Sequence, residues 1–218
     1  MSERFSTEQD AFWAGDFGDA YTGRNSDPRS VAYRTAFFAS ILKQTREVSS
    51  VLEFGANIGQ NLAALRNLLP QSNLAGVEIN ATAAAKLGEI PHVKVIQGSF
   101  LQFSASDLGV HDLTLIAGVL IHVDPAYLPE AYTRLYECSR SYICVCEYYN
   151  PTPVEVSYRG HAGRLFKRDF AGELLDKYQD LELLDYGFQY HRDCNFPGGD
   201  STWFLLRKNP GRSGAIQR

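Results

Sequence analysis

Apolar and polar positions along the chain fall into two alternating rhythms. Short, mostly apolar runs occur at Val51–Phe54, Leu74–Val77, Val93–Ile96, Leu113–Ala117 and Tyr142–Cys146, broken only by Glu53, Lys94 and Thr114. Runs of this length without polar alternation are expected of strands covered on both faces. Between them lie longer stretches with helical spacing. These predict helices over 59–69 and 81–88, a short helix or turn near 104–108, and a helix from about 125 to 139. Strands alternating with helices imply a mostly parallel sheet with right-handed crossovers. After residue 147 the beat changes. Residues 148–168 are rich in Tyr, Pro, Gly, Arg and His. Asp169 then caps a predicted helix over 170–178. Strand-like runs follow at 181–190 and 201–207, and the turn-rich Asn195–Gly199 segment between them makes an antiparallel pair.

The N-terminal part differs again. Ser6–Asp10 reads as a helix start, and residues 28–47 as a helix opened by Pro28, with Val31, Tyr33, Phe37, Phe38, Ile41 and Leu42 on its apolar side. Residues 15–25 mix glycine, aromatic and charged residues without a period. Two readings stay open for them. Trp13, Phe17 and Tyr21 glue an arm to the domain, or they form a cap over a ligand with Arg24 meeting a carboxylate. The expected organisation is a cap of helices over 1–48, a domain over 49–209 and a frayed tail over 210–218.

The richest stretch is Val51-Leu52-Glu53-Phe54-Gly55-Ala56-Asn57-Ile58-Gly59-Gln60-Asn61. It reads as a strand, a glycine turn and a helix start. There the backbone can approach a ligand and the helix N-terminus offers unpaired N–H groups. A dinucleotide fingerprint needs glycine at positions 57 and 60, where Asn57 and Gln60 stand, and a P-loop needs a lysine. About 20 residues on, Glu78 ends the next strand, at the spacing from which a carboxylate accepts ribose hydroxyls.

Glu53-x-Gly55-x-Asn57-x-Gly59 resembles the first motif of class I S-adenosylmethionine-dependent methyltransferases. Asn57 replaces the middle glycine, and asparagine tolerates a left-handed backbone best among the non-glycine residues. The resemblance covers about residues 50–207. It implies a Rossmann-like α/β fold whose mostly parallel sheet ends in an antiparallel strand pair, with an N-terminal helical cap. It also implies S-adenosylmethionine as cofactor, held by Tyr21, Arg24, Glu53, Gly55, Asn57, Gly59, Glu78, Ile79, Gly98, Ser99, Phe100 and Gly118. Ser99 stands where the family usually has an acidic residue on the adenine amino group. Phe100 flanks that ring or belongs to the core. The phrases around Phe12–Asn25, Gly118–Pro125 and Tyr158–Phe170 resemble methylases associated with pseudaminic acid biosynthesis.

Strand ends also nominate the acceptor side. His122, in Gly118–Pro125, is the candidate catalytic base or else a structural histidine. Glu147, Tyr148 and Tyr149 line an acceptor pocket, or Tyr148 and Tyr149 are core. Arg159, His161 and Arg164 sit beside Gly160 and Gly163 in a basic stretch that suits a carboxylate or phosphate. The expected activity is methyl transfer to O or N of a small polar or anionic acceptor: a sugar, nucleotide-sugar or carboxylated metabolite. A nicotinamide-dependent oxidoreductase and a non-catalytic cofactor-binding module are the alternatives.

Composition narrows this further. The 218 residues are 44% hydrophobic and 21% charged, which places the chain among globular domains, and the net charge of −4 disfavours nucleic acid as partner. The four cysteines lack zinc spacing and read as reduced thiols, so no metal and a cytoplasmic location are expected. No signal segment or membrane-length apolar run is visible. A monomer or homodimer is expected.

Overall fold

The computed structural model describes residues 7–24, 27, 29–209 and 211, without the side chain of Arg24. The expected Arg24 contact, the helix opening at Pro28 and most of the tail therefore lie outside the described residues.

The strands are β1 (Ser50–Phe54), β2 (Asn73–Glu78), β3 (Val93–Gln97), β4 (His111–Ala117), β5 (Ser139–Glu147), β6 (Val154–Glu155), β7 (Phe166–Lys167), β8 (Leu181–Phe188) and β9 (Thr202–Lys208). The helices are α1 (Glu8–Ala14), α2 (Asp16–Arg24), α3 (Ser30–Leu42), α4 (Gln60–Leu68), α5 (Ala81–Leu87), α6 (Ala105–Leu108), α7 (Leu128–Glu137) and α8 (Phe170–Lys177). Seven strands form one sheet in the order β3-β2-β1-β4-β5-β9-β8. β1 to β5 pair in parallel, and β9 and β8 close the sheet antiparallel. The order reverses between β1 and β4. In open α/β sheets the crevice beyond the strand ends at such a reversal is where ligands bind.

Alternating residues of the central strands feed two cores, one on each face. Leu52, Phe54 and Ile116 pack with Leu128, Leu135 and Leu174 of α7 and α8. Val51, Leu113 and Leu115 pack with Phe38, Ile41, Leu62 and Leu65 of α3 and α4. Cover on both sides explains the mostly apolar central strands in the sequence. α3, expected as part of the cap, belongs to this second core.

Three elements depart from the sequence reading. The helix expected over 125–139 begins as a 3-10 turn at Pro125–Tyr127 before α7. Residues 154–155 and 166–167 form a small antiparallel ladder that anchors a protruding loop. The aperiodic stretch after Gly15 is the helix α2. Its Gly18 is a close-approach residue: a Cβ there would lie 1.9 Å from the carbonyl oxygen of Trp13. α2 faces a cleft and a loop instead of the apolar core, so it carries no apolar period.

Candidate active site

The carboxyl ends of β1, β2, β3 and β4 form the floor of a cleft. Its lining includes Glu53, Gly55, Asn57, Glu78, Ile79, Gly98, Ser99, Phe100, Gly118 and His122. Residues as far as 69 positions apart in the chain, Glu53 and His122, are thus brought together by parallel pairing. Tyr21, Trp13 and Thr22 line the same cleft from above, from α1 and α2.

The glycine turn is fixed by backbone geometry. Gly55, Asn57 and Gly59 have φ of 70°, 48° and 79°. Asn57 occupies the left-handed conformation anticipated for it. A Cβ on Gly55 would sit 2.4 Å from Val119 Cγ2. Gly118, with φ of 68°, has no atom within 4 Å of a Cβ position, so its open side faces the cleft.

Glu78 is buried, and burial raises its carboxyl pKa. The backbone N–H groups of Asn57 and Asn80 donate to its two oxygens, each at 2.7 Å. An ionised carboxylate has about four acceptor positions. The backbone aims the group and leaves positions over for a ligand diol.

Glu53 is also buried. Asn61 Nδ2 donates to its Oε1 at 2.5 Å, and Arg34 Nη1 donates to Asn61 Oδ1 at 2.7 Å. Glu53 Oε2 is buried without a hydrogen-bond partner. Burial pushes the carboxyl up to about 8, although Asn61 and Arg34 pull it down. An orphaned carboxylate oxygen in the wall of a cleft fits a cationic ligand group. Arg34, Asn61 and Asn80 were not singled out by the sequence reading. Asn80 carried the one usable signal, a helix-capping residue after a strand-end acid: its side chain accepts from Ala83 N at 2.8 Å. The same side chain donates to Asp19 Oδ1 at 3.0 Å and to the Trp13 carbonyl at 3.3 Å, tying α1 and α2 to the floor.

Ser99 is buried on the cleft, and its hydroxyl accepts from Leu101 N at 3.3 Å. Phe100 lines the cleft and also packs edge-on against Phe54, so it belongs both to the cleft wall and to the core.

His122 lies in the 3-10 turn Leu120–His122 and is buried. Its Nδ1 is 2.6 Å from the carbonyl oxygen of Arg164. A carbonyl only accepts, so Nδ1 carries the proton and the neutral ring keeps a bare Nε2. Burial pushes its pKa down to about 4, against the pull of the Arg164 carbonyl.

The acceptor-side residues need correction. Glu147 is buried and does not line the cleft. Its carboxylate accepts from the N–H groups of Val119 and Leu120 at 2.9 Å and Ile121 at 3.4 Å, so it holds the turn that carries His122. Burial pushes it up to about 7 against those three donors. Tyr148 is half-buried against the core beneath Lys167, and Tyr149 is exposed near Phe204. Arg164 places its guanidinium over the Phe12 ring at 5.2 Å and 3.5 Å from Glu8. His161 packs on Phe12 and Phe17, and Arg159 is exposed beside the Tyr158 ring. The 156–165 loop therefore turns its basic residues onto α1 and outward, away from the cleft. Aromatic partners on α1 claim groups that composition alone had assigned to an anion.

No protein-family model matches the chain, and no curated protein matches it in sequence. Solved structures match it by fold. The chain is similar to the plantazolicin methyltransferase BpumL in complex with S-adenosylhomocysteine, with 14% identity, a TM-score of 0.64, and 92% of this chain and 94% of that one covered. It is similar to magnesium protoporphyrin IX methyltransferase from Synechocystis PCC 6803 with bound S-adenosylhomocysteine, at 11% identity and TM-score 0.64, over 92% and 98% of the two chains. It is also similar to the glycopeptide N-methyltransferase MtfA complexed with S-adenosylmethionine, at 15% identity and TM-score 0.59, over 81% and 94%. The fold is the Rossmann-like fold of class I methyltransferases. Among the described residues no helix is long and apolar enough to cross a membrane.

Proposed function

We propose that the protein is a methyltransferase that uses S-adenosylmethionine and acts at O or N of a small acceptor. The observation that carries this reading is the floor itself. A left-handed glycine turn, a backbone-aimed Glu78 and an open Gly118 converge on one cleft that also holds the orphaned Glu53 oxygen. Bound S-adenosylmethionine would supply an electrophilic methyl group on a sulfonium. Glu78 would accept hydrogen bonds from its ribose hydroxyls, and Glu53 would hold its cationic amino-acid end. Gly55 and Gly118 give the ligand access to backbone. His122 Nε2 accepts the proton of the acceptor's O–H or N–H, and Trp13 and Tyr21 exclude water.

For the acceptor we propose a small polar molecule of the sugar, nucleotide-sugar or carboxylated-metabolite kind. Two features support it: the likeness of three segments to methylases of pseudaminic acid biosynthesis, and the flat rings of Trp13 and Tyr158, 4.6 and 4.9 Å from the His122 ring between centroids. Isothermal titration tests the cofactor reading. S-adenosylhomocysteine should bind and NAD should not. NAD binding without S-adenosylhomocysteine binding would overturn the assignment.

A further inference from the structure

His122 is held in two different ways. Its backbone belongs to the floor: the Glu147 carboxylate secures the turn, and His122 N donates to the Val119 carbonyl at 2.9 Å. Its ring belongs elsewhere. The ring centroid is 4.6 Å from Trp13 of α1 and 4.9 Å from Tyr158 of the 156–165 loop. The Nδ1 partner is the Arg164 carbonyl of that loop, at 2.6 Å. None of these three groups comes from the strand that positions the backbone.

The two segments also grip each other. Gln9 Nε2 donates to the Gly163 carbonyl at 3.3 Å. Arg164 meets Glu8 and the Phe12 ring. Phe17 is 6.0 Å from Tyr158, and Phe12 is 5.4 Å from His161, between ring centroids. Moving either segment therefore disturbs both supports of the His122 ring.

We propose that Trp13, Tyr158 and the Arg164 carbonyl are positioning groups that assemble the proton-accepting edge of His122 only when α1 and the 156–165 loop are docked together. The inference rests on the proposed function for what His122 does, but not for how it is held. With the loop undocked, Nδ1 loses its acceptor and either ring nitrogen can carry the proton. Water then reaches the ring, and the bare Nε2 is no longer specified. In this proposal the site is completed when the roof docks over the acceptor.

The charged and titratable groups around the ring are Asp124 on its own turn, Glu147 on β5, Glu8 and Asp10 on α1, Tyr21 on α2, and Tyr158, His161 and Arg164 on the loop. Burial is the largest influence on the ring, and it favours the neutral form. Undocking should therefore release the pKa upward.

The test is a side-chain nitrogen NMR titration of the full-length protein, with His122→Gln assigning the resonance. In the wild type, His122 should be the Nδ1–H form at pH 7 and should titrate well below the ordinary value of about 6.5. In Trp13→Ala and in Tyr158→Ala, the midpoint should rise toward about 6.5 and the shifts should move to a tautomer mixture. Trp13→Phe should keep the wild-type behaviour. The double alanine variant should go little further than the larger single, because one closure is lost only once. An unchanged titration in both alanine variants would overturn the proposal, and additive shifts would overturn the single closure. If Trp13→Ala does not fold, Tyr158→Ala on the protruding loop gives the same readout. S-adenosylhomocysteine binding, measured on the same samples, tests the methyltransferase reading separately. Failure there leaves the His122 result standing.

Discussion

The floor and the roof of the cleft are built by different physics. The floor is strand ends and the turns after them, closed by short hydrogen bonds from backbone to buried carboxylates: 2.7 Å to Glu78 and 2.9 Å to Glu147. The roof is α1, α2 and the 156–165 loop. It is joined by ring contacts, a 3.3 Å amide bond and an ion pair at 3.5 Å whose Glu8 side chain is 88% exposed. Exposed pairs of that kind contribute little. Within the roof these joints are long and exposed, so they open at lower cost than the floor, although the 2.6 Å bond from His122 to the Arg164 carbonyl and the 3.0 Å bond from Asn80 to Asp19 tie roof to floor. Under the proposed function, the contrast would put cofactor retention mainly on the floor and proton handling at the boundary between the two.

The sharpest break in that comparison is His122→Ala. If Nε2 takes the acceptor's proton, turnover should fall by about 10²–10⁴. S-adenosylhomocysteine affinity should change little, because no floor group is lost. Single-turnover rates with saturating acceptor, beside isothermal titration, give both numbers. An unchanged rate would return His122 to a structural role and move the chemistry to another group.

Glu78 tests the other side. Removing charge-assisted bonds to a diol should cost about 1.5–3 kcal/mol, which is roughly 10- to 100-fold in cofactor affinity. Glu78→Gln is the milder substitution, because its one amide oxygen still accepts one of the two backbone N–H groups of Asn57 and Asn80, although its NH2 faces the other. Alanine would also strand the buried N–H groups of Asn57 and Asn80, at about 1–3 kcal/mol each, and would mix stability with binding. Wild-type affinity in the glutamine variant would remove Glu78 from the ribose site.

The floor was legible in the sequence because its logic is local. A strand, a glycine turn and a helix start are consecutive residues, and the strand-end acid follows at a fixed crossover length. Asn57 even announced its backbone conformation. The roof was not legible for the opposite reason. α2 turns a half-buried Tyr21 to the cleft and a half-buried Phe17 to the 156–165 loop, so it shows no apolar period, and its Gly18 serves close approach to Trp13 instead of breaking a helix. Arg159, His161 and Arg164 looked like an anion site because sequence shows charge but not partners. Glu8 and Phe12, over 150 residues away, take the Arg164 guanidinium. Glu147 looked free at a strand end until the turn after β4 folded back onto it.

The smallest expected effect concerns proton linkage at Glu53, and it asks whether the floor is tuned to receive positive charge. Its folded pKa, about 8, is raised above the ordinary 4.5 by burial. The cofactor-free native state therefore holds a proton that the unfolded chain releases. Stability from this group is complete below about 4.5 and is lost as pH rises through about 8. His122 runs the other way. Its pKa is lowered to about 4, so its contribution is complete above about 6.5 and is lost as pH falls through 4. Glu147 and Glu78 are raised like Glu53 and tilt the profile in the same sense. A bare Tm-against-pH curve cannot separate them, so the measurement is a difference. Glu53→Gln should flatten the fall in Tm between about pH 5 and 8 relative to wild type. A cationic ligand group beside the carboxylate favours its ionised form. Binding of S-adenosylhomocysteine should then release a proton, and its affinity should rise by roughly 3- to 10-fold between pH 6.5 and 8 in the wild type but stay level in the variant. Titration in buffers of different ionisation enthalpy counts the proton directly. Equal counts for the two proteins would show that Glu53 meets no positive charge, and the orphaned oxygen would then be only a feature of the empty fold.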